Sequence, residues 1–174
     1  MTNVHFEIHR VVGSEVEELD EDELAARLAE DPELLPALVE LEPLEGAIVI
    51  EGAAVVDDLA SAVQRLCFEA VVALIAPGAT YGYRYFTANQ EAQLTATESS
   101  ITLRGDDCPT REIPRQDLLP ALFSCGHRYL ELLTRLGEGG RTTSTVELAH
   151  LRGFAERARA ALAEAGLIRS YGTD

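Results

Sequence analysis

The chain has 174 residues, of which 47% are hydrophobic and 25% charged, a balance typical of a globular protein and unlike that of a disordered one. It carries 30 acidic residues against 14 arginines and no lysine, for a net charge of −16. The absence of lysine excludes Schiff-base catalysis, attachment of pyridoxal phosphate and a lysine-dependent phosphate loop. The length predicts one globular domain spanning residues 1–174.

The negative charge is concentrated at one end of the chain. Residues 1–60 contain 17 of the acids and two of the arginines, a net charge of −15, whereas residues 61–174 have a net charge of −1. Uniform acidification would be spread along the whole chain. We therefore interpret residues 1–60 as an acidic third that repels nucleic acid and anionic membranes and attracts a basic protein partner.

Three features of the sequence bear on the cellular compartment: the N-terminus, the most apolar segment and the cysteines. The opening MTNVHFEIHR lacks the basic start and apolar stretch of a signal peptide. Residues 59–76 are interrupted by polar side chains, which predicts a buried helix rather than a membrane span. Three cysteines are too few for a disulfide framework, and an odd number cannot all be paired. We therefore expect a protein of the reducing cytoplasm.

The first half of the chain predicts two strands and two main helices. In VHFEIH, apolar and polar residues alternate, as in a half-buried strand. Asp20 is a suitable N-cap, and Glu23 stands three residues later in the position of a capping box. The most apolar segment has one narrow polar stripe, which predicts a helix buried on most sides. The predicted elements are strands near 3–10 and 47–51 and helices near 20–30 and 58–76.

After Pro77 and Gly78 the apolar period changes to two, which predicts an antiparallel meander. Asp117 is expected to cap the next helix, with Pro120 in its first turn. Ser144 and Glu147 form a second capping-box pattern. The fold class is therefore α+β, an antiparallel β-meander packed with helices. Its remaining elements are strands near 80–87, 91–97 and 100–104, a short strand at 110–113, and helices near 117–136 and 145–165.

Helix capping accounts for residues 20–23 but leaves other acids of the N-terminal third unexplained. Such acids form either a solvated face or a surface that meets a basic partner. Their concentration in one third of the chain favours the second interpretation. The acids predicted to bind a partner are Glu15, Glu17, Glu18, Glu30 and Asp31.

The stretch TYGYRYF places three tyrosines, Tyr81, Tyr83 and Tyr85, on one face of a strand. Tyrosines on a half-buried sheet commonly pack at the edge of the core. They are also enriched among the residues that dominate protein interfaces, so the row is a second candidate for partner binding. Both interpretations stay open at the level of sequence.

Few residues suggest catalysis or metal binding. Cys125 and His127 are two positions apart on a predicted helix, so their side chains point in different directions. Cys108 lies in no recognisable ligand spacing, and His5 and His9 share a strand face without an evident third ligand. We expect no catalytic residue, no metal and no cofactor. An enzyme that uses Cys108, or His5 with His9, is the third alternative.

A small, acidic, lysine-free α+β chain with core segments such as QRLCFEA (64–70) and LFSCGHRYL (122–130) resembles the immunity proteins with which bacteria neutralise polymorphic or contact-delivered toxins. The resemblance implies a protein that binds a cognate toxin domain and blocks its active site or substrate surface. The alternative is a secretion chaperone, also small, acidic and α+β. Secretion chaperones usually act as homodimers around an effector segment, so a homodimer stays among the open alternatives.

Overall fold

The computed structural model describes residues 2–85, 91–106 and 109–169. It contains two four-stranded antiparallel sheets together with helices, which confirms the predicted α+β class. Side chains from both sheets and from the helices share one hydrophobic cluster. Among the helices of the described residues, none is both long and apolar enough to cross a membrane.

The first sheet consists of two hairpins, with strand order β2-β1-β3-β4. Gly13 and Ser14 join β1 to β2, and because only the glycine has positive φ (66°) the turn is of type II′. Glu51 and Gly52 join β3 to β4 with positive φ at both residues, as in a type I′ turn. The strands are β1 (Val4–Val12), β2 (Glu15–Asp20), β3 (Glu45–Ile50) and β4 (Ala53–Asp58).

Strands β2 and β4 were not among the predicted elements. The sequence predicts no strand over residues 15–20, where it assigns Glu15, Glu17 and Glu18 to a partner-binding face and Asp20 to a helix cap. In the structure Leu19 is fully buried and pairs with Ile8 of β1. The dipeptides at the two hairpin turns were the local signals for both strands. An acidic strand is accommodated here because Leu19 is the one buried residue of β2, while Glu15, Val16, Glu18 and Asp20 meet solvent.

The second sheet is the predicted meander, with strand order β5-β6-β7-β8. Residues 86 and 87, which the sequence placed in its first strand, lie outside the described residues. Residues 110–113 correspond to its short last strand. The strands are β5 (Thr80–Arg84), β6 (Glu91–Ala96), β7 (Ser100–Gly105) and β8 (Arg111–Pro114).

The buried helix predicted near 58–76 is α-helical at its ends and π-helical in its middle. Asp58 caps its start by accepting the backbone N–H of Ser61 at 2.8 Å. The predicted cap at Asp20 is also confirmed, since its side chain accepts the N–H of Glu23 at 2.8 Å. The helices are α1 (Glu21–Glu30), α2 (Leu34–Val39), α3 (Leu59–Ala62), the π-helix (Val63–Glu69), α4 (Ala70–Ala73), α5 (Arg115–Glu138) and α6 (Thr142–Glu164).

The predicted starts of the two long helices are wrong by a few residues. Helix α5 begins at Arg115 directly after Pro114, so Asp117 is not its cap and Pro120 lies beyond its first turn. Helix α6 begins at Thr142, before the expected capping box. Glu147 accepts a hydrogen bond from Arg141 at 2.8 Å instead. The guanidinium of Arg141 is buried and needs a counter-charge, which outweighs local capping.

Glu21, the first residue of α1, fastens this helix to the first sheet and to α5. Its carboxylate accepts the backbone N–H of Phe6 at 2.9 Å and forms an ion pair with Arg128. Arg128 also donates from Nη2 to the carbonyl of Val4 at 2.9 Å. Both backbone groups lie on the edge of β1 that faces β2, beyond the residue at which β2 ends. Side chains therefore replace strand pairing along this part of β1.

Two glycines test how tightly α5 packs against the π-helix. A Cβ at Gly126 would lie 2.7 Å from Cβ of Cys67 and from the ring of Phe68, whereas one at Gly153 of α6 would meet only Nη1 of Arg157 at 4.0 Å. We expect Gly126→Ala to lower the free energy of unfolding by about 1–3 kcal/mol. Gly153→Ala should raise it by about 0.5–1 kcal/mol through helix propensity. Urea denaturation measures both, and stabilisation by Gly126→Ala would contradict this packing.

Candidate functional site

The acids predicted to meet a partner divide into two groups. Glu17 pairs with Arg10 and Arg27, and hydrogen bonds from these two guanidinium groups hold the pKa of its carboxyl below the usual value. Asp31 accepts the N–H of Glu33 at 3.0 Å and lies 3.9 Å from Nη2 of Arg27. Glu17 therefore holds α1 beside β2, and Asp31 pairs with Arg27 at the end of the same helix.

The second group is exposed and is accompanied by apolar side chains that sequence reasoning missed. Glu15 and Glu18 are exposed on β2, and Glu30 is exposed at the end of α1. Val11 and Val16 face each other across the hairpin and are 73% and 63% exposed. We call the end of this hairpin the hairpin surface. It consists of Val11, Val12, Glu15, Val16 and Glu18.

The hairpin surface combines two properties of a protein-binding site. Of the six large hydrophobic side chains that are well exposed within the described residues, three lie on this hairpin. Isolated exposed valines are ordinary, but neighbouring ones beside charged residues indicate an interaction surface. The signal in the sequence was the run VVGSEV, in which a turn dipeptide separates apolar residues.

The prediction that Tyr83 anchors a partner is wrong, because its side chain is fully buried. Its hydroxyl donates to Asp57 at 2.6 Å, and Asp57 is itself 2% exposed. The guanidinium of Arg65 lies over the tyrosine ring, 4.3 Å from its centroid. Since Tyr83 belongs to β5 and Asp57 to β4, their hydrogen bond connects the two sheets.

The two flanking tyrosines are half-buried and turn towards the same cluster. The hydroxyl of Tyr81 donates to Glu69 of the π-helix at 3.0 Å. Burial and this hydrogen bond raise the pKa of Tyr81 to about 12. The ring of Tyr85 packs edge-on against Tyr83, with 5.3 Å between centroids. These contacts support the interpretation of the row as packing at the edge of the core.

The structure does not bring Cys125 and His127 together. Cys125 is buried, and contact with Cys67 and desolvation raise the pKa of its thiol well above the usual value. His127 is exposed and stacks on Phe123, with 6.3 Å between ring centroids. A protonated, buried thiol is a poor nucleophile. Cys108 lies outside the described residues.

His5 and His9 flank Glu7 on the outer face of β1. Nε2 of His5 lies 3.3 Å from Oε1 of Glu7, and Nε2 of His9 lies 3.7 Å from Oε2. Within residues 2–85, 91–106 and 109–169, no group of three or more histidine, cysteine or acidic side chains has an arrangement that could hold a metal ion. The ring nitrogens of both histidines are therefore turned towards the same carboxylate on this face of the sheet.

Comparison with known proteins adds no relative to this description. No family model, curated protein or solved structure matches the chain. The candidate site is therefore defined by the geometry of this chain alone, and it is the hairpin surface.

Two tyrosine hydroxyls in different environments test the link between the sheets. Tyr83→Phe removes a hydrogen bond to a buried carboxylate and should lower the free energy of unfolding by about 1.5–3 kcal/mol. The hydroxyl of Tyr129 is also buried but has no hydrogen-bond partner among the described residues. Tyr129→Phe should therefore be neutral or slightly stabilising. Chemical denaturation compares them, and equal losses would argue against the role of Asp57.

The raised pKa of Tyr81 predicts a loss of stability in alkali. The folded protein holds this proton more tightly than the unfolded chain, whose tyrosines ionise near pH 10. The contribution is present below pH 10 and is lost as the pH rises from 10 to about 12. Unfolding free energy measured across this interval should fall less steeply in Tyr81→Phe than in the wild type. Parallel curves would show that Tyr81 ionises normally.

Proposed function

We propose that this protein is a protein-binding inhibitor of the immunity type, which neutralises a cognate toxin by covering a basic surface on it. The observation that carries the proposal is the hairpin surface, where exposed valines stand beside unpaired carboxylates. The valines provide apolar area for a complex, and Glu15 and Glu18 select a positively charged partner.

The electrostatics of the N-terminal third support a basic partner. Its two arginines, Arg10 and Arg27, both pair with Glu17, and Arg27 also lies 3.9 Å from Asp31, so that two carboxylates balance the two cations. The field around the hairpin surface is therefore set by the remaining acids. Such a field accelerates encounter with a basic protein and slows encounter with nucleic acid.

Purification from the native host tests the class of function. The chain is expected to copurify with a protein that carries a basic surface and that arrests growth when it is produced alone in a heterologous host. Coexpression of the chain should restore growth. A copurifying partner that is harmless on its own, and that is delivered by a secretion system, would overturn the proposal in favour of a secretion chaperone.

Charge neutralisation tests the site. Glu15→Gln with Glu18→Gln should slow association with that partner by about three- to tenfold at low salt and flatten its dependence on ionic strength. Glu17 and Asp31 are left unchanged, because both pair with Arg27 of α1. The matched control is Glu98→Gln with Glu164→Gln, which changes the net charge equally at exposed positions elsewhere. Similar association rates in the two variants would show that the hairpin acids are only solvated.

A further inference from the structure

Strand β2 is the outermost strand of the first sheet, and within the described residues no strand pairs with its second edge. Val12 and Glu15 flank a two-residue turn and so form a hydrogen-bonded pair, after which such pairs alternate along the hairpin. The residues between these pairs on β2 are Val16 and Glu18. Their N–H and C=O groups therefore point away from β1, towards the open edge.

The same alternation is visible on β1. The N–H of Phe6 and the carbonyl of Val4 point towards the side on which β2 lies, and Glu21 and Arg128 bind them. The fold thus closes the edge of β1 with side chains and leaves that of β2 open. Unpaired edges attract other strands, and proteins commonly protect them.

The composition of β2 determines what can pair with this edge. Four of its six residues are acidic, so pairing between two copies of β2 would set carboxylates against carboxylates. A second copy of the chain is therefore a poor occupant. Charge protects the edge against self-association, yet Val16 stays 63% exposed beside Val11 on the same face. A strand with basic and apolar residues matches both features.

We infer that the open edge of β2 accepts an extended segment of the partner protein as an additional strand. This segment pairs with the backbone of Val16 and Glu18 and carries an apolar residue opposite Val16 and arginine or lysine opposite Glu18. Backbone hydrogen bonds provide the register, and the alternate side chains provide the selectivity. The inference rests on the proposed function and specifies how the hairpin surface binds.

Short synthetic peptides test the inference on the whole chain. The probe is a capped peptide in which arginine and threonine alternate around a central valine. One control replaces arginine with glutamate, and a second keeps the arginines but carries N-methyl groups on alternate backbone nitrogens. In titrations followed by NMR, the probe should give saturable shifts at the amides of Val16 and Glu18. Both controls should bind at least about tenfold more weakly.

Hydrogen exchange gives a readout that needs no variant. The probe should slow exchange of the Val16 and Glu18 amides, whereas the Glu17 amide, which already bonds to β1, should change little.

A matched pair of variants isolates the backbone contribution. Glu18→Pro removes the outward N–H and the charge, and Glu18→Gln removes only the charge. Glu18→Pro should bind the probe several-fold more weakly than Glu18→Gln.

The outcomes separate this inference from the proposed function. If the N-methylated peptide binds as well as the probe, or if shifts fall outside β2 or fail to saturate, edge pairing is overturned. The acidic hairpin surface would still stand if Glu15→Gln with Glu18→Gln slows association with the native partner. If that double variant associates at the same rate as its control, the proposed function fails at this site, regardless of the results of the peptide titrations.

Discussion

The ion pair between Glu21 and Arg128 constrains the arrangement around the first sheet. It joins the start of α1 to α5 and, through Phe6 and Val4, to the backbone of β1. Because Glu21 follows β2 directly, its position at β1 fixes the point at which the chain leaves the sheet. The backbone of β1 is satisfied by side chains beyond that point, while β2 remains a short edge strand whose outer edge pairs with no other strand in the part of the chain that the structure describes.

The same constraint determines which acids of the N-terminal third are available. The two arginines of that third both bind Glu17, and Arg128 from α5 binds Glu21. These pairs stabilise the packing of α1 and remove their carboxylates from the surface field. Glu15 and Glu18 remain exposed beside the hairpin valines, so charge and apolar area coincide at one place. This coincidence is the basis on which we propose a binding surface there.

The tyrosine row has a different role, because its polar ends are directed inward. Tyr83 reaches Asp57 on the first sheet and lies under Arg65, and Tyr81 reaches Glu69 on the π-helix. The row therefore connects the second sheet to the first sheet and to the central helix. A hydrogen bond between a buried phenol and a buried carboxylate fixes the relative position of the two sheets more specifically than apolar packing does. The partner site that we propose is consequently placed on the hairpin and not on the tyrosine row.

The sequence by itself determined the α+β class, the meander of the second sheet and the cap at Asp20, because each depends on the period of apolar residues or on contacts a few residues apart. It did not determine β2 and β4, whose buried residues, such as Leu19 and Val55, are covered by distant parts of the chain. Nor did it show that Glu17 is paired and Tyr83 buried, since Arg27 and Asp57 are brought to them only by folding. Burial and ion pairing between distant residues are properties of the tertiary structure. They alone decided which of the predicted residues remain on the surface.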